Sequence, residues 1–253
     1  MKLLRSMSIA FSMYSKIPMP QFEWKEEDMR YSLCFFPWVG AVIAIAFFFL
    51  GEGAKKCGMS PLFIVCILAA LPILITGGIH VDGYMDTMDA LHSYQPKEEK
   101  LRILKDPHIG AFSVIMVLLY YFLYLGFLSE IQDKETLFIV ALGFIISRAL
   151  SGIGVVSFMP AKKDGLLRAF ADPAMKRNVR ILLGTELLVG CLAGSVLDLR
   201  KMILVILAAG CAMAYYKRRA YREFGGITGD TAGWFVQICE LVILIAAVAD
   251  GWF

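Results

Sequence analysis

The sequence predicts an all-α, polytopic membrane bundle of about seven helices, with its N-terminus inside and its C-terminus outside. Three observations predict it. Of the 253 residues, 58% are hydrophobic, more than an ordinary soluble domain carries, and mean hydropathy is +0.67. The apolar residues gather into seven stretches, roughly 33–50, 61–77, 111–128, 137–159, 179–197, 201–215 and 232–249, some of them near the ~17-residue lower limit for a span. Lysine and arginine are also divided unevenly. Residues 1–32, 78–110, 160–178 with Arg180, and 216–231 carry nineteen of them, while Lys55, Lys56, Lys134, Arg200 and Lys201 make five on the other side. The richer side is expected to be cytoplasmic. The chain reads as one transmembrane catalytic domain over 1–253 in the cell membrane, its lipid bilayer a partner, with the long loops facing the cytoplasm.

Taken in order, residues 1–16 mix Leu, Met, Ile and Phe with Lys2, Arg5 and Lys16, the composition of a short helix lying in the interface. Pro18 and Pro20 end it. No cleavable signal peptide is expected, because residues 1–32 lack a continuous apolar core. The first six spans pair into hairpins with short outer turns, and the seventh stands alone. The stretch 201–215 is the shortest, and 137–159 carries Ser147-Arg148. Six cysteines form no CxxC pair and read as small buried hydrophobes. A net charge of only +3 gives no reason to expect nucleic acid. Oligomeric state stays open, and a homo-oligomer is compatible with the pattern.

The octet Asp82-Gly-Tyr-Met-Asp-Thr-Met-Asp89 follows the second span. On a helix, Asp82, Asp86 and Asp89 fall within an arc of about 60°. Two unit charges ~4 Å apart in an intermediate dielectric repel by about 4 kcal/mol, and no Lys or Arg lies between His80 and His92. Oxygen ligands in a row suit a hard divalent cation, above all Mg²⁺, which binds a few carboxylates together with substrate phosphates. The bland alternative is a solvated helix start favoured by the helix dipole, which explains one Asp better than three. Gly77-Gly78 lets the chain turn sharply before the octet. His80, His92 and His108, all the histidines of the chain, share this loop in no zinc-like spacing. Asp106-Pro-His-Ile-Gly closes it.

Gly225-Gly-Ile-Thr-Gly-Asp230 shares Gly-Gly-Ile-x-x-Asp with Gly77–Asp82. Gly-rich turns at helix starts present N–H groups to phosphate, so Gly225, Gly226, Thr228 and Asp230 are candidate phosphate binders. Arg148 is the one formal charge well inside a span and must meet either a carboxylate or a substrate phosphate. Pro160-Ala-Lys-Lys-Asp-Gly places Lys163 and Asp164 in a basic loop suited to an anion.

The segments GGIHVDGYMDTMDAL (77–91), KDPHIGAFSVI (105–115) and GGITGDTAGWFVQICEL (225–241) resemble the signatures of the cobalamin synthase family, the adenosylcobinamide-GDP ribazoletransferases. SKIPMP (15–20), Ser147-Arg148 and AKKDGL (161–166) fit in place, so the resemblance covers essentially the whole chain. It departs at Lys162-Lys163, where the family usually has Arg before Asp-Gly, which puts a bidentate phosphate contact there in doubt. The resemblance implies that α-ribazole, or its 5′-phosphate, attacks adenosylcobinamide-GDP and releases GMP in the last assembly step of cobalamin. By analogy Asp82, Asp86 and Asp89 would hold Mg²⁺, and Asp89, or failing it His80 or Asp106, would take the hydroxyl proton. Arg148 and the 225–230 loop would steady the phosphates. Two other readings compete. A CDP-alcohol phosphotransferase would place Ala where Asp86 stands and space its acids more widely. A secondary transporter would carry its acids near the bilayer midplane.

Overall fold

A computed structural model describes residues 2–161 and 166–249, apart from the side chains of Lys2, Leu166, Arg168 and Ala169. Helix α1 (Lys2–Tyr14) is followed by α2 (Glu26–Met29) and a 3₁₀ turn, Ser32–Phe35. Then come α3 (Phe36–Lys56), α4 (Pro61–Thr76), α5 (Ile79–His92), α6 (Lys97–Ile103) and α7 (Ala111–Ser129). The chain continues through α8 (Lys134–Ser157), α9 (Leu166–Ala171), α10 (Lys176–Leu197), α11 (Leu199–Phe224) and α12 (Gly229–Ala249). Among the described residues there is no strand; a lone bridge joins Pro160 to Ile227.

The chain is a multi-pass membrane protein. The 3₁₀ turn running into α3, together with α7, α8, α10, α11 and α12, gives six helices long and apolar enough to cross a bilayer. The seventh expected span is α4, whose 16 residues make it about 24 Å long, short of a ~30 Å hydrocarbon core. At Gly77-Gly78 the chain bends by 94° into α5, so α5 lies across the helix ends rather than extending the span. Both glycines have positive φ, +68° and +82°, a conformation that side-chain-bearing residues adopt only with strain. Lys16 also lays its aliphatic stem against Gly77, where a Cβ would overlap it.

The short outer turns follow from capping. Ser60 accepts a hydrogen bond from the Phe63 N–H, with Pro61 in the first turn of α4; Asp133 accepts from Thr136 at 2.6 Å and Asp198 from Lys201 at 2.9 Å. Each satisfies a helix-start amide. The stretch 201–215 is longer than its apolar run suggests. Lys217, Arg218, Arg219 and Arg222 are good helix formers, and α11 carries them on as one continuous helix to Phe224.

Two helices form the centre. Of their most apolar stretches, 78% of α8 and 72% of α12 is buried, against 22% of α7 and α10. α8 packs on α3, α10 and α12, while α12 also meets α5 and α11. On the outside, Phe122, Leu188 and Val196 are exposed, as lipid-facing side chains are.

The four long loops meet at one end of the bundle. Lys16 N–H donates to Ile75 O at 2.7 Å, Met175 N–H to Arg30 O at 3.4 Å, and Ala161 N–H to Ile227 O at 2.9 Å. Lys100 Nζ donates to Glu223 at 2.6 Å. α1 joins them by its apolar face, with Ile9 and Ala10 fully buried and Leu3 and Leu4 exposed.

Candidate active site

The site forms where α5 crosses the start of α12. Small residues permit the approach. A Cβ on Gly83 would stand 2.8 Å from Asp230 O, and one on Gly233 would stand 3.4 Å from the His80 backbone. This contact brings Asp230 to the acid face of α5. Asp86 is half-buried, and its carboxyl is pushed up to about 7, first by burial and then by the charges of Asp82, Asp230 and Asp89. So the three predicted aspartates lie on one helix, as expected, and a fourth joins them. The sequence assigned Asp230 to phosphate; the structure sets it among the carboxylates.

The four acids offer hard oxygen donors, the set that suits a hard divalent cation. Among the described residues no three His, Cys, Asp or Glu side chains close around an ion by themselves. An ion held there would have to take its remaining oxygens from water or a phosphate. Asp89 lies against Gly110, where a Cβ would overlap its carboxylate, so the loop after α6 covers one side of the cluster.

Beside the acids opens a cavity of about 400 Å³. Asp82, Asp230, Thr228 and Lys105 contribute polar groups; Tyr14, Leu33, Phe36, Val155, Phe170 and Ile227 contribute apolar walls. His80 reaches it from the first turn of α5. The ring is 5% exposed, lies between Tyr14 and Phe36 at centroid distances of 6.2 and 5.4 Å, and its Nε2 has no hydrogen-bond partner. Burial, reinforced by the charge of Arg148, holds this imidazole neutral.

The other predicted residues fall elsewhere. Arg148 does not line the cavity. It is 1% exposed, and its Nη1 donates to Glu240 Oε1 at 2.6 Å and to Phe144 O at 2.9 Å, so of its two expected partners it meets the carboxylate. Asp106 is exposed and accepts from the backbone and ring of His108 at 3.0 and 2.7 Å. Those hydrogen bonds hold its carboxyl below the usual range, which weakens it as a base. His92 hydrogen-bonds Met88 O through Nδ1 at 2.8 Å and stacks on Phe112, a packing role. Gly225 caps α11 at φ +76°, and Gly226 passes close beneath Ala161; neither lines the cavity.

Thr228 does line it, yet its amide is not offered to an anion. The Thr228 N–H donates to Thr231 Oγ1 at 2.8 Å, and the Thr231 N–H returns to Thr228 Oγ1 at 3.1 Å. This is a reciprocal cap on α12. Lys163 and Asp164 lie outside the described residues. Sequence reasoning missed the aromatic walls, since Tyr14, Phe36 and Phe170 stand in unrelated apolar segments. For the fourth acid the signal was present in the repeated Gly-Gly-Ile-x-x-Asp.

Fold and site together define an integral membrane protein with an acid-edged, apolar cavity at one end of its bundle. The chain belongs to the cobalamin-5-phosphate synthase family, whose sequence profile matches residues 6–248. It is 46% identical over 252 residues to the adenosylcobinamide-GDP ribazoletransferase of Lachnoclostridium phytofermentans, covering 99% of this chain and 96% of that protein. The enzyme of the same name from Clostridium botulinum is 31% identical over 246 residues, 97% of each chain. That from a Geobacillus species is 33% identical over 229, which is 87% of this chain and 86% of the other. No solved structure matches. The chain is thus a transferase of cobalamin biosynthesis.

Proposed function

We propose that the protein joins α-ribazole, or its 5′-phosphate, to adenosylcobinamide-GDP with release of GMP, in a Mg²⁺-dependent reaction at the cytoplasmic face of the cell membrane. The observation that carries this reading is the convergence of Asp82, Asp86, Asp89 and Asp230 beside one cavity. Displacement at a diphosphate needs positive charge near the phosphates and a group to take the nucleophile's proton. Asp82, Asp89 and Asp230 are the residues that would hold Mg²⁺; when bound, the ion neutralises phosphate charge and polarises the P–O bonds.

This chain's own residues do the rest. Lys105, at the cavity rim, faces the diphosphate as a point charge. Asp86, half-buried beside the residues that would hold the ion, is the carboxylate that accepts the proton of the attacking hydroxyl. The new bond forms between that oxygen and the phosphorus on the corrinoid side, while the bond to the GMP oxygen breaks. The apolar walls exclude water, which would otherwise compete as nucleophile.

GMP release measured against Mg²⁺ concentration tests the reading, using wild type and the Asp→Asn variants at 82, 86, 89 and 230. The expected losses are at least about a hundredfold, the size of removing a general base. Extra Mg²⁺ should partly restore the 82, 89 and 230 variants but not Asp86→Asn. Wild-type-like curves for all four would overturn both the metal site and the mechanism.

A further inference from the structure

Two loops reach the acid cluster besides α5. One follows α6 and brings Lys105 to the cavity and Gly110 against Asp89. The other follows α11 and brings Asp230. An ion pair joins the two helices that lead into them. Lys100 Nζ of α6 donates to Glu223 Oε2 of α11 at 2.6 Å, and Lys100 is only 6% exposed. Neither residue lines the cavity, and the mechanism above gives neither a task.

The pair is lopsided. The other oxygen of Glu223, Oε1, is met by Arg219 Nη1 at 2.9 Å and Arg222 Nε at 3.6 Å, both on its own helix. Glu223 therefore keeps cationic partners wherever α6 lies. Lys100 does not: among the described residues, Glu223 is the only carboxylate paired with it. A buried ammonium without a counter-charge is costly, so a lysine that loses its partner leaves for water and takes its short helix with it. From Lys100 to the cavity rim the chain is tightly hydrogen-bonded. The Leu104 N–H donates to Lys100 O at 3.2 Å, Lys105 N–H to Arg102 O at 2.9 Å and Asp106 N–H to Ile103 O at 2.9 Å. A shift of Lys100 is passed on to Lys105.

Resting on the role given to Lys105 above, we infer that Glu223 is a positioning residue for the reaction. By keeping Lys100 in the bundle it keeps Lys105 at the diphosphate. It acts through Lys100 and not on the substrate.

The test uses Glu223→Gln, which keeps the shape of the side chain and removes its charge. In the GMP-release assay, KM for adenosylcobinamide-GDP should rise roughly tenfold, the size of a lost charge-assisted contact. Mere loss of folded enzyme would lower the rate at saturation and leave KM alone. Amide hydrogen exchange should quicken over 97–110 and stay unchanged in α8 and α12. Glu223→Asp, which draws the charge back by one methylene, should raise KM about threefold and serves where Glu223→Gln does not fold. Adding Lys100→Met removes the stranded charge, and α6 still packs through Leu101, Ile103 and Leu104. In the double variant KM should return to within about twofold of wild type, and exchange over 97–110 should slow again. Unchanged KM and exchange in the Glu223 variants would overturn the inference. So would a KM rise that Lys100→Met does not reverse, since Glu223 would then act through Arg219 or Arg222. Lys105→Gln alone should raise KM as Glu223→Gln does. If it does not, the role of Lys105 in the proposed function falls, while the exchange measurements and their rescue still decide whether Glu223 holds the loop.

Discussion

Asp86 shows how one residue ties the chemistry to stability. Its carboxyl is raised from an ordinary 3.8 to about 7 by burial and by three neighbouring acids. The folded protein therefore binds the Asp86 proton more tightly than the unfolded chain does. The stabilising effect of that proton is complete below about pH 4 and is lost as pH rises through about 7. With Mg²⁺ removed by a chelator, thermal unfolding of the detergent-solubilised protein should shift to lower temperature between pH 5 and pH 8. Asp86→Asn should flatten that slope and, at pH 8, unfold no earlier than wild type. Equal slopes in the two proteins would show that the acids do not repel as described. The α5 acid pattern was legible in the sequence, because charge and helical spacing are local properties. Arg148 was legible only as a demand for a partner. Glu240, 92 positions away, became that partner through helix packing, which no local pattern encodes.

At the scale of elements, the site depends on how closely α5 lies against α12. Gly83 fixes that distance. In an exposed helix, Gly→Ala gains up to about 1 kcal/mol of propensity. Here the added methyl would press on the Asp230 carbonyl at 2.8 Å, a backbone atom that cannot swing aside. Gly83→Ala should therefore push Asp230 away from Asp82 and Asp86. The expected result is a Mg²⁺ requirement raised at least several-fold, with a smaller change in unfolding temperature, read from GMP-release titrations and thermal scans. An unaltered Mg²⁺ curve would mean that Asp230 is not part of the ion's site. The two Gly-Gly-Ile-x-x-Asp elements have parallel roles. Each glycine pair ends one helix, with Gly77 and Gly225 both at positive φ, and each Asp begins the next. The repeat could be read in the sequence. That the two aspartates face each other could not, since this follows from the 94° bend and the contact across Gly83.

At the scale of the whole molecule, the question is which side of the membrane holds the site. Hydrogen bonds draw residues 15–31, 77–110, 158–161 and 225–228 to one end, and the segments around them carry most of the Lys and Arg. By the positive-inside rule that end is expected in the cytoplasm, where a nucleotide-bearing substrate is also found. Span number then fixes the chain ends. α4 is short, yet its two ends lie where a returning span would put them. Its last turn is tied to Lys16 through Ile75, and Tyr14 packs against Phe36 at the start of α3 with ring centroids 4.2 Å apart. So α3 leaves the site end and α4 comes back to it. With α4 counted beside the six longer helices, seven crossings are expected, which would put the two ends of the chain on opposite sides. A reporter active only outside the cytoplasm should work when fused after Phe253 and fail when inserted at 160–178, while a cytoplasmic reporter should give the opposite pattern. A C-terminal fusion active in the cytoplasm would mean an even number of crossings.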